Sequence, residues 1–278
     1  MVGDGVADGA PEVELHVDGR GPETLVMVHG WPDTWRLWDA QVEALAPRRR
    51  CVRFTLPGFS PGDERRARGL GEVVDELRRV VLAAAGGAPV TLVLHDWGCL
   101  YGYRLAALHP ELVGRVVALD VGDGGSPEHL ASLGAVAKLG LVAYQNWLSL
   151  AWRVGGRLGD AMTRAFARAV RAPGDPATIG SRMNYPYWIR WGRGGESYAE
   201  VRPFEPSVPT LFVHGTEKPF PLHSREWARR VDAAPGSRVV AMAAGHWMMR
   251  ERPDELNALL LDWLDEPSGA DRTGDAAR

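Results

Sequence analysis

Apolar runs typical of buried β-strands alternate along this chain with longer stretches of helical periodicity. The inner runs are continuously apolar, as strands covered on both faces tend to be. Strands that alternate with helices predict a mostly parallel sheet with helices on both sides. The predicted strands are Glu12–Val17, Thr24–His29, Cys51–Thr55, Val90–His95, Arg115–Val121, Thr210–His214 and Arg238–Met242. The predicted helices are Trp35–Leu45, Leu70–Ala85, Leu100–Leu108, Ser224–Ala233 and Pro253–Leu264.

The first two predicted strands are separated by a short segment with the sequence DGRG, Asp18 to Gly21. Glycines in such a short connection are typical of a tight β-turn. We therefore expect the first two strands to form a hairpin.

The alternation stops between about Gly122 and Pro203, where helical pieces are separated by Gly and Pro. This segment is rich in tyrosine and tryptophan, and it follows a strand, at the edge where parallel sheets bind ligands. We expect a helical lid, and the alternative is that the aromatic residues only pack the insert onto the core. The expected organisation is a first core part at 1–121, a helical cap at 122–203, a second core part at 204–265 and a disordered tail at 266–278.

The overall charge argues against several classes of partner. The formal net charge is −3 without a long run of like charge, so we expect no nucleic-acid partner. No run of about 20 apolar residues predicts a membrane span, and the N-terminus lacks the pattern of a signal peptide. Two cysteines, Cys51 and Cys99, do not make a disulfide framework. We expect free thiols and a cytoplasmic protein.

The turn His95-Asp96-Trp97-Gly98 joins a predicted strand to a predicted helix. A nucleophile is found at such a sharp strand-to-helix turn in α/β hydrolytic enzymes. Here the tip carries Asp96, so the turn indicates a carboxylate nucleophile. The alternative is that Asp96 only caps the following helix, which is a common role of aspartate.

Two further motifs favour the nucleophile interpretation. The sequence MVHGWP ends a strand in a tight turn that can direct the backbone N–H of Trp31 at the site. His246 follows Gly245 after the last predicted strand and precedes the last helix. The chain order of nucleophile, acid and histidine is the one found in this kind of fold.

These motifs resemble the α/β-hydrolase superfamily, in particular its aspartate-nucleophile branch of epoxide hydrolases and haloalkane dehalogenases. The resemblance covers about Glu12 to Leu264 and implies an α/β-hydrolase fold with an inserted helical cap. His29-Gly30-Trp31-Pro32 resembles the H-G-x-P motif of epoxide hydrolases, and Gly245-His246-Trp247 resembles their catalytic-histidine segment. Leu94 and Cys99 depart from residues that are usual in the family.

The resemblance implies a covalent mechanism. Asp96 would form an ester with the substrate, and His246 would activate water to attack it. The backbone N–H groups of Trp31 and Trp97 would form the oxyanion hole.

The acid that orients His246 is open to three assignments. Family members often carry it three residues past a glycine after the strand before the last, but here that position is Lys218. Glu217 is adjacent and one position out of register. Some dehalogenases place the acid at the end of the preceding core strand, which is Asp120 here. We favour Asp120 over Glu217, with Asp123 third.

The leaving group decides between two enzyme classes. An epoxide oxygen needs a proton donor, and the resemblance assigns this role to Tyr144 and Tyr187 of the cap, with Tyr185 as the alternative to Tyr187. A halide needs hydrogen-bond donors instead, and the indole of Trp97 is a candidate. The position after His-Gly, where dehalogenases often have Asn, is Trp31 here.

We therefore predict a cofactor-independent epoxide hydrolase that acts on a small apolar epoxide and has no membrane partner, with a homodimer left open. A haloalkane-type dehalogenase with a halogenated substrate is the first alternative, and a non-hydrolytic ligand-binding protein is the second. The predicted substrate-binding side chains are Trp97, Trp147, Tyr185, Trp188 and Trp247.

Overall fold

The computed structural model describes residues 9–190 and 205–266. Within these residues one sheet has seven strands in the order β1-β3-β2-β4-β5-β6-β7. Every neighbouring pair from β3 to β7 is parallel, which confirms the predicted mostly parallel sheet. The strands are β1 (His16–Asp18), β2 (Thr24–Val28), β3 (Arg50–Arg53), β4 (Val90–His95), β5 (Val113–Leu119), β6 (Thr210–Gly215) and β7 (Arg238–Met242).

Helices follow most of the strands and flank the sheet. The α-helices in the described residues are α1 (Asp39–Leu45), α2 (Leu70–Ala85), α3 (Trp97–Leu108), α4 (Pro127–Ser132), α5 (Ala135–Val154), α6 (Gly156–Ala169), α7 (Tyr185–Arg190), α8 (Arg225–Ala233), α9 (Met248–Glu251) and α10 (Pro253–Asp265). Short 3-10 helices occupy Trp35–Trp38, Pro110–Leu112 and Ser181–Asn184. None of the helices in the described ranges is long and apolar enough to cross a membrane.

Successive residues of each central strand enter two different hydrophobic cores. In β2, Val26 and Val28 pack with α2 and α3, whereas Leu25 and Met27 pack with α1 and α10. Successive side chains of a strand point to opposite faces, so a strand buried on both faces must be apolar throughout. This explains the continuous apolar runs in the sequence.

The predicted hairpin between the first two strands is wrong. β1 pairs antiparallel with β3, with His16 opposite Arg53, so β3 lies between β1 and β2. The DGRG segment packs closely against the backbone of residues 46–49 before β3. A Cβ at Gly21 would lie 1.8 Å from the carbonyl oxygen of Arg48, and one at Gly19 would lie 2.1 Å from that of Arg49. The glycines permit this close crossing rather than a tight turn.

Only helices and loops are found in the described residues between β5 and β6, from 120 to 190 and 205 to 209. Helices α4 to α7 lie in the predicted cap, and its limits at 122 and 203 remain a prediction. Residues 191–203 of that prediction, and residues 267–278 of the predicted tail, lie outside the described residues.

The sheet order brings distant parts of the chain to one edge. β4 is the fourth of the seven strands, and β2 and β5 are its parallel neighbours. The carboxyl ends of parallel strands meet at the same edge of the sheet, where the chain order also reverses between β2 and β4. The three motifs described above lie at the ends of β2, β4 and β7, and Asp120 and Lys218 follow β5 and β6.

Candidate active site

Asp96 lies at the tip of the sharp turn between β4 and α3. Its backbone has φ 52° and ψ −121°, an uncommon conformation for a residue with a side chain. The turn brings α3 close to the end of β2. A Cβ at Gly98 would lie 2.2 Å from the carbonyl oxygen of Val28. The Asp96 side chain makes no capping hydrogen bond to α3, so the helix-cap alternative does not account for it.

One carboxylate oxygen of Asp96 faces the turn after β2. The backbone N–H of Trp31 donates to Asp96 Oδ1 at 2.7 Å. A Cβ at Gly30 would lie 2.3 Å from that oxygen and 2.5 Å from the backbone nitrogen of Trp97, so glycine is required there. The backbone N–H groups of Trp31 and Trp97 therefore lie beside the same oxygen, as a pair of oxyanion donors would.

The other oxygen of Asp96 faces His246. The imidazole Nε2 lies 3.5 Å from Asp96 Oδ2, and Nδ1 lies 2.5 Å from Asp120 Oδ2. Asp120 follows β5 directly and is fully buried. Residues 96, 120 and 246 thus form a carboxylate–imidazole–carboxylate row across the sheet edge.

The structure places Asp120, and not the two alternative acids, beside His246. Glu217 is exposed, and its backbone N–H donates to the carbonyl of Ala244. The carboxylate of Asp123 accepts hydrogen bonds from Ser126, just before α4, and from Ser224, just before α8.

Hydrogen bonds and burial set the protonation states of Asp96, His246 and Asp120. Burial would raise the pKa of Asp96 and of Asp120, but hydrogen bonds from His246 hold the pKa of both carboxyls below the usual range. Burial would lower the pKa of His246, yet its hydrogen bonds to Asp120 and Asp96 raise that pKa to about 9. At neutral pH the row therefore holds two carboxylates and an imidazolium.

Two buried neutral histidines support the loops of the site. His29 Nε2 accepts from the N–H of Leu56 at 2.9 Å, so its Nδ1 is the donor to Gly30 O at 2.8 Å. His95 Nε2 lies 2.9 Å from the carbonyl oxygen of His246, to which it can donate. Burial lowers the pKa of His29 to about 4 and that of His95 to about 3. Sequence reasoning assigned neither residue a supporting role.

Asp33 and Trp247 form a second link behind the site. The indole N–H of Trp247 donates to Asp33 Oδ2 at 2.9 Å, and both side chains are buried. Burial raises the pKa of Asp33 to about 7. This pair joins the turn after β2 to the loop that carries His246, and the role of Asp33 was not anticipated.

A cavity opens beside Asp96 under the cap helices. Tyr144 and Tyr187 line it, with their ring centroids 6.0 Å apart and nearly perpendicular. Burial raises the pKa of Tyr144 to about 12 and that of Tyr187 well above its usual value, so both hydroxyls stay protonated. Further lining residues are Trp97, Leu100, Val121, Gly122, Gly124, Gly125, His129, Leu141, Gln145, Arg190 and Leu222.

Four residues predicted to contact the substrate do not line this cavity. Trp147 is 42% exposed, and its indole N–H donates to the carbonyl of Met162. The hydroxyl of Tyr185 donates to Pro57 O at 3.0 Å and is therefore engaged outside the cavity. Trp188 packs against the core, and Trp247 bonds to Asp33. For Trp147, Tyr185 and Trp188 the reason is that helix packing, rather than position in the cap, decides which aromatic rings reach the cavity.

The described residues lack any group of three or more His, Cys, Asp or Glu side chains that is placed to hold a metal ion. Cys51 and Cys99 are buried free thiols. Burial raises the pKa of Cys51 to about 12, so this thiol stays protonated at neutral pH.

Comparison with known proteins agrees with this geometry. The chain is 31% identical over 117 residues to Epoxide hydrolase 2 of Caenorhabditis elegans, an alignment that covers 39% of this chain and 32% of that protein. It is 26% identical to Epoxide hydrolase B of Mycobacterium tuberculosis, with 93% and 94% of the two chains covered. The fold is similar to that of a Bacillus megaterium epoxide hydrolase solved with an inhibitor, with a TM-score of 0.68, 19% identity and coverage of 91% and 97%.

The family assignment follows from a match that spans most of the sheet domain and the cap. Residues 25–259 match the Alpha/beta hydrolase family. A non-hydrolytic ligand-binding protein, the second alternative from the sequence, is not supported by these relatives. The chain therefore belongs to the alpha/beta hydrolase family, and it is a hydrolase whose similar proteins include epoxide hydrolases.

Proposed function

We propose that this hydrolase opens a small, mostly apolar epoxide to a vicinal diol through an ester on Asp96. The proposal rests on the arrangement of side chains around Asp96. Asp96 is held between backbone N–H groups and His246, and it shares a cavity with the protonated hydroxyls of Tyr144 and Tyr187. The similarity to Epoxide hydrolase B over nearly the whole chain supports the same conclusion.

The first half-reaction uses the carboxylate and the tyrosines. Asp96 attacks a ring carbon of the epoxide, and the bond between that carbon and the oxygen breaks. The electron pair stays on the oxygen, which takes a proton from Tyr144 or Tyr187. An alkoxide is a poor leaving group without such a donor, and a positioned acid increases the reaction rate by about 10²- to 10⁴-fold.

The second half-reaction uses His246 in its neutral form, so the imidazolium first gives its proton to the tyrosine that was deprotonated in the first half-reaction. Water gives one proton to Nε2 as its oxygen attacks the carbonyl carbon of the Asp96 ester. The ester oxygen then leaves with that proton from His246 and completes the diol, and the second proton of the water passes from the Asp96 carboxyl to His246, which restores the carboxylate and the imidazolium. The N–H groups of Trp31 and Trp97 stabilise the oxyanion on Oδ1. One such donor lowers the activation barrier by about 3–4 kcal/mol.

The test is to trap the ester in a His246→Gln variant. Without the base, hydrolysis should stop and the alkyl-enzyme should accumulate. An epoxide adds its whole mass to the protein, whereas a haloalkane adds its mass less that of the hydrogen halide. Intact-mass measurement, followed by mapping of the adduct to Asp96, reads out both the mechanism and the substrate class.

An Asp96→Ala/His246→Gln variant is the matched control and should take up no adduct. A panel of epoxides that are turned over by the parent enzyme but leave no adduct in His246→Gln would contradict the proposal.

Dehalogenation remains the second candidate because Trp97, a potential halide donor, lines the cavity. The Trp97 ring meets that of Tyr187 edge-on, with centroids 5.2 Å apart. In a dehalogenase the two tyrosines would have no proton to supply, so their burial beside Asp96 favours the epoxide.

A further inference from the structure

Lys218 occupies the position where the sequence resemblance places the triad acid, and it points back into the triad. Its Nζ contacts Asp120 Oδ1 in a buried ion pair, with 10% of the Lys218 side chain exposed and none of Asp120. The backbone N–H of Gly215 donates to the same oxygen at 3.0 Å. The other oxygen accepts from His246 at 2.5 Å. Lys218 therefore extends the row to four charges of alternating sign.

Other ionisable groups close to this row do not supply a second cation. Burial lowers the pKa of His214, and it lowers the pKa of His223 to about 4. Both are neutral at working pH, as is His95. The titratable groups that interact by charge with members of the row include His29, Asp33, His95, Cys99, Tyr144, Tyr187, His214 and His223.

The charge balance of the row changes during the proposed reaction. In the free enzyme His246 lies between the carboxylates of Asp96 and Asp120, which together hold its proton. Formation of the ester removes the charge of Asp96. His246 must then become neutral to accept a proton from water, although the carboxylate of Asp120 still stabilises the protonated imidazole. A full negative charge on a buried Asp120 opposes that change.

We propose that Lys218 is a positioning residue that offsets the charge of Asp120 and so lets His246 act as the base once Asp96 carries the ester. The ammonium also fixes Oδ1, which leaves Oδ2 directed at His246. This inference rests on the proposed ester mechanism. Replacing a buried ion pair by apolar residues is often neutral or stabilising, so charge balance explains a lysine at this place better than fold stability does.

The test compares Lys218→Gln, Lys218→Met and Lys218→Arg in pre-steady-state experiments, which follow hydrolysis of the ester by intact mass at a series of pH values. Gln keeps a donor for Asp120 without the charge, Met removes both, and Arg keeps the charge. Lys138 is exposed on α5 and is the only other lysine of the chain, so Lys138→Met is the matched control.

We expect the acid limb of ester hydrolysis to shift upward by about one pH unit in Lys218→Gln and Lys218→Met. A charge within about 4–6 Å moves a pKa by about 1–3 units, and Lys218 acts on His246 through Asp120, so we expect the lower end of that range. Hydrolysis at pH 7 should slow about tenfold, while Lys218→Arg and Lys138→Met retain the parent profile. A purely structural role would lower the rate at every pH without moving the limb, and that result in Lys218→Gln would overturn the inference. The Gln variant decides the matter if the Met variant does not fold.

A second readout separates this inference from the proposed function. NMR titration of the His246 imidazole in the free protein needs no substrate, and its pKa should rise in Lys218→Gln relative to the parent. An unchanged titration would refute the role of Lys218 even if the ester forms. Absence of the ester in His246→Gln, with the titration shifted, would refute the ester mechanism and leave the charge coupling in place.

Discussion

Replacing the two cap tyrosines by phenylalanine is the change that most sharply separates epoxide opening from other chemistry. Tyr144 and Tyr187 line the cavity with Asp96, and both hydroxyls stay protonated because burial raises their pKa values. Phenylalanine at both positions keeps the contact between the two rings, the contact of ring 144 with Phe166 and that of ring 187 with Trp97. The cap should therefore keep its packing. The substitution then removes the two proton donors, together with the hydrogen bonds that the hydroxyls make with Gln145 and Trp97.

The expected magnitude follows from what a donor contributes to a developing alkoxide. A hydrogen bond directed at charge that forms in the transition state contributes about 3–4 kcal/mol, or about 10²- to 10³-fold in rate. Either single variant should lose less, since the remaining hydroxyl can still donate. The double variant should slow alkylation about 10³-fold or more, with a smaller effect on substrate binding.

Alkylation is measured in isolation by placing the substitutions in the His246→Gln background and following the adduct by rapid quench and intact mass. Tyr185→Phe is the control, because its hydroxyl donates to Pro57 O and its side chain does not line the cavity. That variant should alkylate at the parent rate and lose about 1 kcal/mol of unfolding free energy.

The same variants answer the question of the leaving group. A halide leaves without a proton, so a haloalkane that reacts at all should alkylate the double variant at the parent rate. Epoxide alkylation that stays within a few-fold of the parent in the double variant would refute the proton-donor role. If halide release also collapsed in Trp97→Phe, the chain would be a dehalogenase.

Two further outcomes follow from buried groups behind the site. Burial raises the pKa of Asp33 to about 7, so the folded protein binds this proton more tightly than the unfolded chain. This contribution to stability is complete below about pH 4 and is lost as the pH rises through about 7, by up to about 4 kcal/mol. Relative to the parent, Asp33→Asn should gain stability in denaturant titrations at pH 8 compared with pH 4, and parallel pH profiles would contradict this. Gly30→Ala should lower kcat by about 10²-fold or more, because its Cβ would lie 2.3 Å from Asp96 Oδ1 and displace the oxyanion donors; kcat within threefold of the parent, with an unchanged Tm, would argue against that geometry.

The sheet could be predicted from the sequence because burial on both faces demands long apolar strands. Val90–His95 and Arg238–Met242 have the predicted bounds, and helix α2 does as well. The partner of β1 could not be predicted in this way. Pairing with β3 depends on a close backbone crossing at Gly19 and Gly21, and a pattern of glycines is equally typical of a tight turn.

The candidate site, like the sheet, could be predicted from the sequence only in part. Strand ends predicted the placement of Asp96 and His246, since parallel strands carry their loops to one edge, whereas Asp120 is favoured over Glu217 only through the family resemblance. The surrounding contacts join residues far apart in the chain, such as Lys218 with Asp120 and Trp247 with Asp33. No local pattern encodes these pairs, and in the sequence Lys218 is visible only as the wrong residue type at an expected acid.

An aspartate nucleophile imposes a demand that a serine does not. A serine hydroxyl is neutral before attack, whereas in the proposed mechanism Asp96 must be charged while buried and must lose that charge when the ester forms. The structure offsets the buried carboxylate with the N–H of Trp31 and the imidazolium of His246. The same imidazolium must later lose its proton, so whatever stabilises the first half-reaction opposes the second. The second carboxylate beside His246, that of Asp120, makes the loss of the proton harder, and the cation of Lys218 beside that carboxylate makes it easier. The lysine beside Asp120 is therefore the element that we expect to couple the two half-reactions, and this places it within the chemistry of the site rather than in its packing.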